Sequence, residues 1–105
     1  MIHATDQLVL LYEEDRHPIG AFIGEDTGSG TIYLWWTIMS KPASLPRALA
    51  EANEYIRAHW KHVKHLTFYI PDNHPRAAAL ARVASRYHAE PVDSDEDGVF
   101  YRFTF

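Results

Sequence analysis

The 105-residue chain contains no cysteine. Disulfides, thiolate nucleophiles and cysteine-ligated zinc are therefore excluded, and the composition suits a reducing compartment. No apolar run approaches the roughly 20 residues needed to span a bilayer. The opening, MIHATDQLVLLYEED, has no basic segment and turns acidic too early for a secretion signal. A soluble protein with no signal peptide is expected. Positive charge is also short: ten Lys and Arg stand against fourteen Asp and Glu, a formal charge of -4. No basic stripe marks a nucleic-acid surface, so direct nucleic-acid readout is not expected. There is no Ser–His–Asp order, no Walker loop and no dinucleotide fingerprint. What is present is enough apolar material, 47% of residues, to build one modest core. Seven histidines add a reserve of positive charge below about pH 6.5.

Strand patterns open the chain. LVLLY (Leu8 to Tyr12) and IGAFIG (Ile19 to Gly24) flank a polar turn, EEDRHP, and read as an antiparallel hairpin. A second turn, EDTGSG (Glu25 to Gly30), leads into TIYLWWTIM (Thr31 to Met39), the strongest strand. Simple alternation sends Ile32, Leu34, Trp36 and Ile38 one way and Tyr33, Trp35 and Met39 the other. Apolar residues on both faces predict a central strand covered on both sides. Leu45, Leu49, Ala52, Ile56, Trp60 and Val63 then recur at helical spacing, with Ser44 as N-cap and Pro46 in the first turn.

A strand from Leu66 to Ile70 follows. A polar corner, Asp72-Asn73-His74-Pro75, then opens a helix with Ala77, Leu80, Ala84 and Tyr87 on one face. Pro75 is predicted at the first helical position. Strand, corner and helix would set helix N-terminal N–H groups at the strand's carboxyl end, where α/β proteins hold anions. AEPV (Ala89 to Val92) and VFYRFTF (Val99 to Phe105) close the chain as a hairpin around an acidic turn, Asp93 to Gly98. The expected order is β-β-β-α-β-α-β-β in a single domain: an α+β (mixed α/β) fold, a mixed sheet with two helices.

This order resembles the GNAT superfamily of acyl-CoA N-acyltransferases without its opening strand and helices. GNAT proteins often carry an Asn after the fifth strand and then a helix reading roughly N-x-x-(S/A)-x-x-(L/F)-(Y/L)-x-x-x-G-F. Here Asn73 is followed by Leu80, Val83, Ala84, Ser85 and Tyr87, with Ala84 in place of the usual Gly. The family's pyrophosphate loop, (Q/R)-x-x-G-x-(G/A), corresponds in spacing to Lys41, Ser44 and Pro46. The residue types differ, and Pro42 and Pro46 each remove a backbone donor. The resemblance implies an acyl-CoA cleft with Lys41, Ser44 and Asn73 as cofactor-binding candidates, and weak binding of any coenzyme A.

The family's usual acid and base have no counterpart. The strand from Thr31 to Met39 holds no carboxylate, the nearest being Glu25 and Asp26 in the predicted turn. The position for an acidic Tyr, near Leu80 or Ala81, is aliphatic; Tyr69, Tyr87 and His74 are the substitutes to test. Within the superfamily the pattern looks most like acetyltransferase-like internal virion proteins of tailed phages, on the runs FYIPDN, EPVDSDEDG and VFYRFTF.

That resemblance implies a catalytically degenerate, binding protein, cytoplasmic or virion-associated, with no cofactor required. The alternatives are a minimal N-acetyltransferase using acetyl-CoA, and a small inhibitor or regulator that binds a host protein. A missing first strand would leave an open sheet edge for a protein partner or a second copy. His59, His62 and His65 read as a solvated surface, Trp35 and Trp36 as core on opposite faces, and Arg76, Arg82 and Arg86 as exposed helix residues.

Overall fold

A computed structural model of the chain describes residues 1–6, 9–28 and 30–105, with side chains except those of 3–6, 35, 36 and 38. Seven strands form one mixed sheet: β1 (Ile2–Asp6), β2 (Val9–Glu14), β3 (His17–Gly28), β4 (Thr31–Met39), β5 (His65–Pro71), β6 (Glu90–Ser94) and β7 (Gly98–Thr104). Their spatial order is β1-β2-β3-β4-β5-β7-β6, antiparallel except for the β4–β5 pair. Two helices, α1 (Leu45–His59) and α2 (Ala77–Arg86), follow β4 and β5. The α+β class and the element order hold from β2 onward.

One strand precedes that order. β1 fills the place read as missing and forms an edge itself. Its polar, five-residue sequence gives little strand signal. It is held instead by pairing with β2, by burial of Ile2, and by the terminal amine donating to the Glu13 carbonyl at 2.6 Å. Leu8, placed at the start of a strand, lies outside the described residues.

The turns are tighter than the sequence suggested. The first is Asp15-Arg16 alone, both residues at positive φ, as a two-residue hairpin requires. β3 continues to Gly28, so Glu25 and Asp26 are strand residues and not turn residues. Gly24 does not end the strand. It sits at a register shift, where Ile23 opposes Trp36 and Gly24 opposes Leu34, leaving Trp35 as an extra residue on β4. Such a bulge reverses the alternation of the bulged strand.

Both helices lie on one face of the sheet and share a single core with Leu10, Tyr12, Phe22, Leu34, Leu66, Phe68 and Phe103. The α1 stripe is buried as predicted, through Leu45, Leu49, Ala52 and Ile56. Trp60 is the C-cap and Val63, also buried, lies beyond the helix. Asn53, absent from the predicted stripe, is fully buried and donates Nδ2–H back to the Leu49 carbonyl at 2.9 Å. The expectation that β4 is covered on both sides is corrected. Ile32 and Leu34 face the helices, whereas Tyr33 on the other face is half-buried against Phe100, rings 6.1 Å apart. Among the described residues no helix covers that face. The side chains of Trp35, Trp36 and Ile38, assigned to opposite faces, lie outside the described residues.

Candidate functional site

The bulge at Trp35 has a consequence at the centre of the sheet. Parallel pairing of β4 with β5 covers only Thr31–Leu34 against His65–Phe68. β4 runs on to Met39 and β5 to Pro71, so beyond this ladder the two strands diverge. A slot of about 320 Å³ opens between them. Tyr33 and Tyr69 line it from the uncovered side. Thr37, Met39, Phe68, Leu45 and Leu80 line it from the helix side, with Pro42, Pro71 and His74 at its mouths. Thr37 reaches the helix side because the bulge pairs it with buried Phe22. Strand edges along such a gap offer backbone donors and acceptors that no neighbouring strand uses.

The three sequence candidates flank this slot without lining it. Lys41 is exposed, with Nζ 3.7 Å from a Glu14 carboxylate oxygen. Ser44 is the N-cap of α1, as expected, but its backbone is helical and its side chain makes no cap bond. Its hydroxyl instead donates to Glu14. Glu14 is held below the usual carboxylate range, first by the Tyr12 hydroxyl 2.8 Å away and then by Ser44. Asn73 is exposed, in the turn that the His74 N–H closes on the Pro71 carbonyl. Their neighbours Pro42, Leu45 and His74 do line the slot.

Few backbone donors remain for an anion at either helix start. Pro42 and Pro46 have none. The N–H groups of Ser44 and Leu45 are spent on the Lys41 and Pro42 carbonyls of a short 3-10 turn, Pro42–Ser44. The Glu14 carboxylate beside this loop adds like charge against phosphate. At the second corner α2 begins at Ala77, not at Pro75. The His74 ring explains the delay. Its Nδ1 accepts the Arg76 N–H at 2.9 Å, while the His74 carbonyl takes the Ala77 N–H. With Nδ1 occupied, the neutral His74 ring carries its proton on Nε2.

Proton chemistry in the slot is similarly committed. The Tyr69 hydroxyl donates to Asp95 at 2.8 Å. Burial, then this bond, pushes its pKa up to about 12. Tyr87 is raised as well, by burial and by a bond to Glu54, and does not line the slot. Glu25 and Asp26 lie exposed on β3 and do not line it either. Of the substitutes named from the sequence, Tyr69 and His74 are brought to the slot. Tyr33 and Thr37 are polar linings that the sequence did not single out: the face of Thr37 follows only from the bulge, and Tyr33 becomes a lining only because β4 and β5 part beyond Leu34. The histidines at 59, 62 and 65 form no metal-binding group among the described residues. No helix among those residues is long and apolar enough to cross a membrane.

No protein-family model matches the sequence, and no curated protein does. Solved structures do match. The N-acetyltransferase PseH of Campylobacter jejuni superposes with a TM-score of 0.67 at 15% identity, over 91% of this chain and 66% of that one. The PaiA N-acetyltransferase of Thermoplasma acidophilum, in complex with coenzyme A, gives 0.65 at 13% identity, over 93% and 60%. A GNAT-family acetyltransferase from Listeria monocytogenes gives 0.61 at 16%, over 93% and 64%. The chain therefore spans just under two thirds of the length of these proteins. At such identities the likeness is one of architecture: this chain has the fold of the GNAT acetyltransferases.

Proposed function

We propose that the chain is a small N-acyltransferase domain that takes acetyl-CoA into the slot between β4 and β5. The divergence of these parallel strands after Leu34 carries the reading. It leaves a slot of about 320 Å³, walled by strand edges and apolar side chains, suited to an arm that carries amide groups and a thioester. The arm's amides would pair with the free backbone edges. The thioester would lie near Tyr33, Thr37 and Tyr69. Lys41, Ser44 and Asn73 sit at the two ends, where Lys41 would meet the phosphates. Stripped of donors by Pro42 and Pro46 and close to Glu14, that end would grip weakly. The acetylated product forms when a neutral amine attacks the thioester carbon: the C–N bond forms, the C–S bond breaks, and the proton shed by nitrogen ends on the thiolate.

A second reading has an observation of its own. Among the described residues no carboxylate lines the slot, the Tyr69 proton is committed to Asp95, and His74 presents an N–H in place of a basic nitrogen. On this reading the chain binds the thioester and does not turn it over. Roles in a virion or against a host protein rest on the sequence pattern alone. Calorimetry with acetyl-CoA, paired with a thiol-release assay over an amine panel, tests both. One-site binding with thiol release supports the transferase. Binding without release supports the second reading. No binding at millimolar acetyl-CoA overturns both.

A further inference from the structure

The end of the slot assigned to phosphates already faces an anion, and that anion is the chain's own. Glu14 closes the β2–β3 hairpin opposite His17. One oxygen of its carboxylate accepts the Tyr12 hydroxyl at 2.8 Å, and the other lies 3.7 Å from Lys41 Nζ. The Ser44 hydroxyl and the Arg47 guanidinium act on the same carboxylate. Lys41, Ser44 and Arg47 lie in one stretch, from just past β4 into the first turn of α1. The Glu14 side chain is 26% exposed against 63% for Lys41, so the carboxylate lies deeper than the ammonium it faces. A second arrangement is within reach. Glu14 also borders a polar hollow of about 380 Å³ whose lining includes Arg16 and Arg47. A carboxylate leaving Lys41 has these two guanidiniums to turn to. It would leave behind the hydroxyl of buried Tyr12, which then lacks its acceptor. That loss favours the closed arrangement when no ligand is bound.

We propose that Glu14 is an internal latch. Its carboxylate stands in for a phosphate on Lys41 and Ser44, and a phosphate-bearing ligand binds by displacing it toward Arg16 and Arg47. Two anions within a few ångströms of one ammonium repel each other, so the bound phosphate and the closed carboxylate compete for the same place. Repulsion alone would weaken binding and leave Glu14 where it is; a latch has to move. That the latch governs the slot rests on the placement of acetyl-CoA proposed above. Its own action is measured with a ligand that is all phosphate and a ligand that has none.

Calorimetry of the full chain and of Glu14→Gln with inorganic pyrophosphate, acetyl-CoA and S-acetylpantetheine, which carries no phosphate, supplies the test. Glu14→Gln keeps the shape of the side chain and an oxygen for the Tyr12 hydroxyl, so it should keep the native circular dichroism. Pyrophosphate and acetyl-CoA should each bind it about tenfold more tightly than they bind the wild type. S-acetylpantetheine should bind both equally. Adding Ser44→Ala to Glu14→Gln should remove most of the gain. A second measurement needs no variant: in the wild type, pyrophosphate should shift the carboxyl carbon NMR signal of Glu14 and the ring signals of Tyr12, as the bond between them breaks. Equal pyrophosphate affinity for wild type and Glu14→Gln overturns the inference. So does a gain in affinity while the wild-type Glu14 and Tyr12 signals stay still, which is repulsion without a latch. A gain for pyrophosphate with no binding of acetyl-CoA or S-acetylpantetheine supports the latch and overturns the slot reading alone.

Discussion

A single hydroxyl fixes the slot's lower wall. Tyr69 donates to Asp95, and the same Asp95 oxygen accepts the N–H groups of Asp97 and Gly98 at 2.9 Å each. Gly98 has no room for a side chain. A Cβ there would run into the Ile70 carbonyl and come within 2.7 Å of the Tyr69 ring and hydroxyl. Gly98→Ala is expected to cost about 1–3 kcal/mol, as other overpacked sites do, measured by urea unfolding. Wild-type stability there would overturn this close packing. The knot also predicts a pH dependence. Asp95 is held below the usual carboxylate range, first by Tyr69 and then by backbone N–H groups. A depressed folded pKa gives stability that is present above the unfolded value, near 3.9, and is lost as pH falls through the folded one. Stability should therefore drop more steeply below about pH 4 in the wild type than in Asp95→Asn. Parallel acid-unfolding curves for the two would sink that assignment. No local pattern of residues betrays this knot, since it joins residues 26 positions apart.

At the scale of elements, periodicity was the reliable guide. It placed β4 at its observed bounds, and it placed the α1 face because Leu45 to Ile56 repeat without interruption. It failed where one residue changes the phase. The Trp35 bulge cannot be read from TIYLWWTIM, because the alternation is apolar on both sides of it; yet that bulge parts β4 from β5 and makes the slot. β1 escaped notice because a partner strand, not its own side chains, makes it a strand. Asn73 and Ser44 were found from the resemblance, whereas their slot-lining neighbours His74 and Leu45 needed coordinates. The start of α1 supplies a prediction. Pro46 occupies a first-turn position where a residue with an N–H would add one donor toward a phosphate. Pro46→Ala should tighten acetyl-CoA binding several-fold, at a stability cost of no more than about 1 kcal/mol from the freer unfolded chain. An unchanged dissociation constant in calorimetry would mean that the phosphates lie elsewhere.

Seen whole, the molecule is two sheet segments, β1 to β4 and β5 with β7 and β6, sewn together by only four residue pairs of β4 and β5 and by the helices above them. α1 packs on α2 and on β1, and α2 packs on β5, so the helical layer bridges what the strands leave open. The radius of gyration is 12.8 Å, close to the roughly 13 Å of a compact chain of this length. A joint of this kind should show in hydrogen exchange. Amides of the Thr31–Leu34 ladder have strand partners on both sides of β4, and those facing the slot further along β4 have one side open. The slot-facing amides of 36–39 should therefore exchange faster than those of 31–34. Ligand binding adds RT ln(1 + [L]/Kd) to stability, about 2.7 kcal/mol at a hundredfold excess over Kd. If acetyl-CoA lies along the open edge, it should slow exchange most at 36–39 and at Tyr69 and Ile70, and should raise the melting temperature of one shared transition. Protection spread evenly over the sheet, or confined to β1 and β2, would place the ligand away from the joint and remove the slot from the argument.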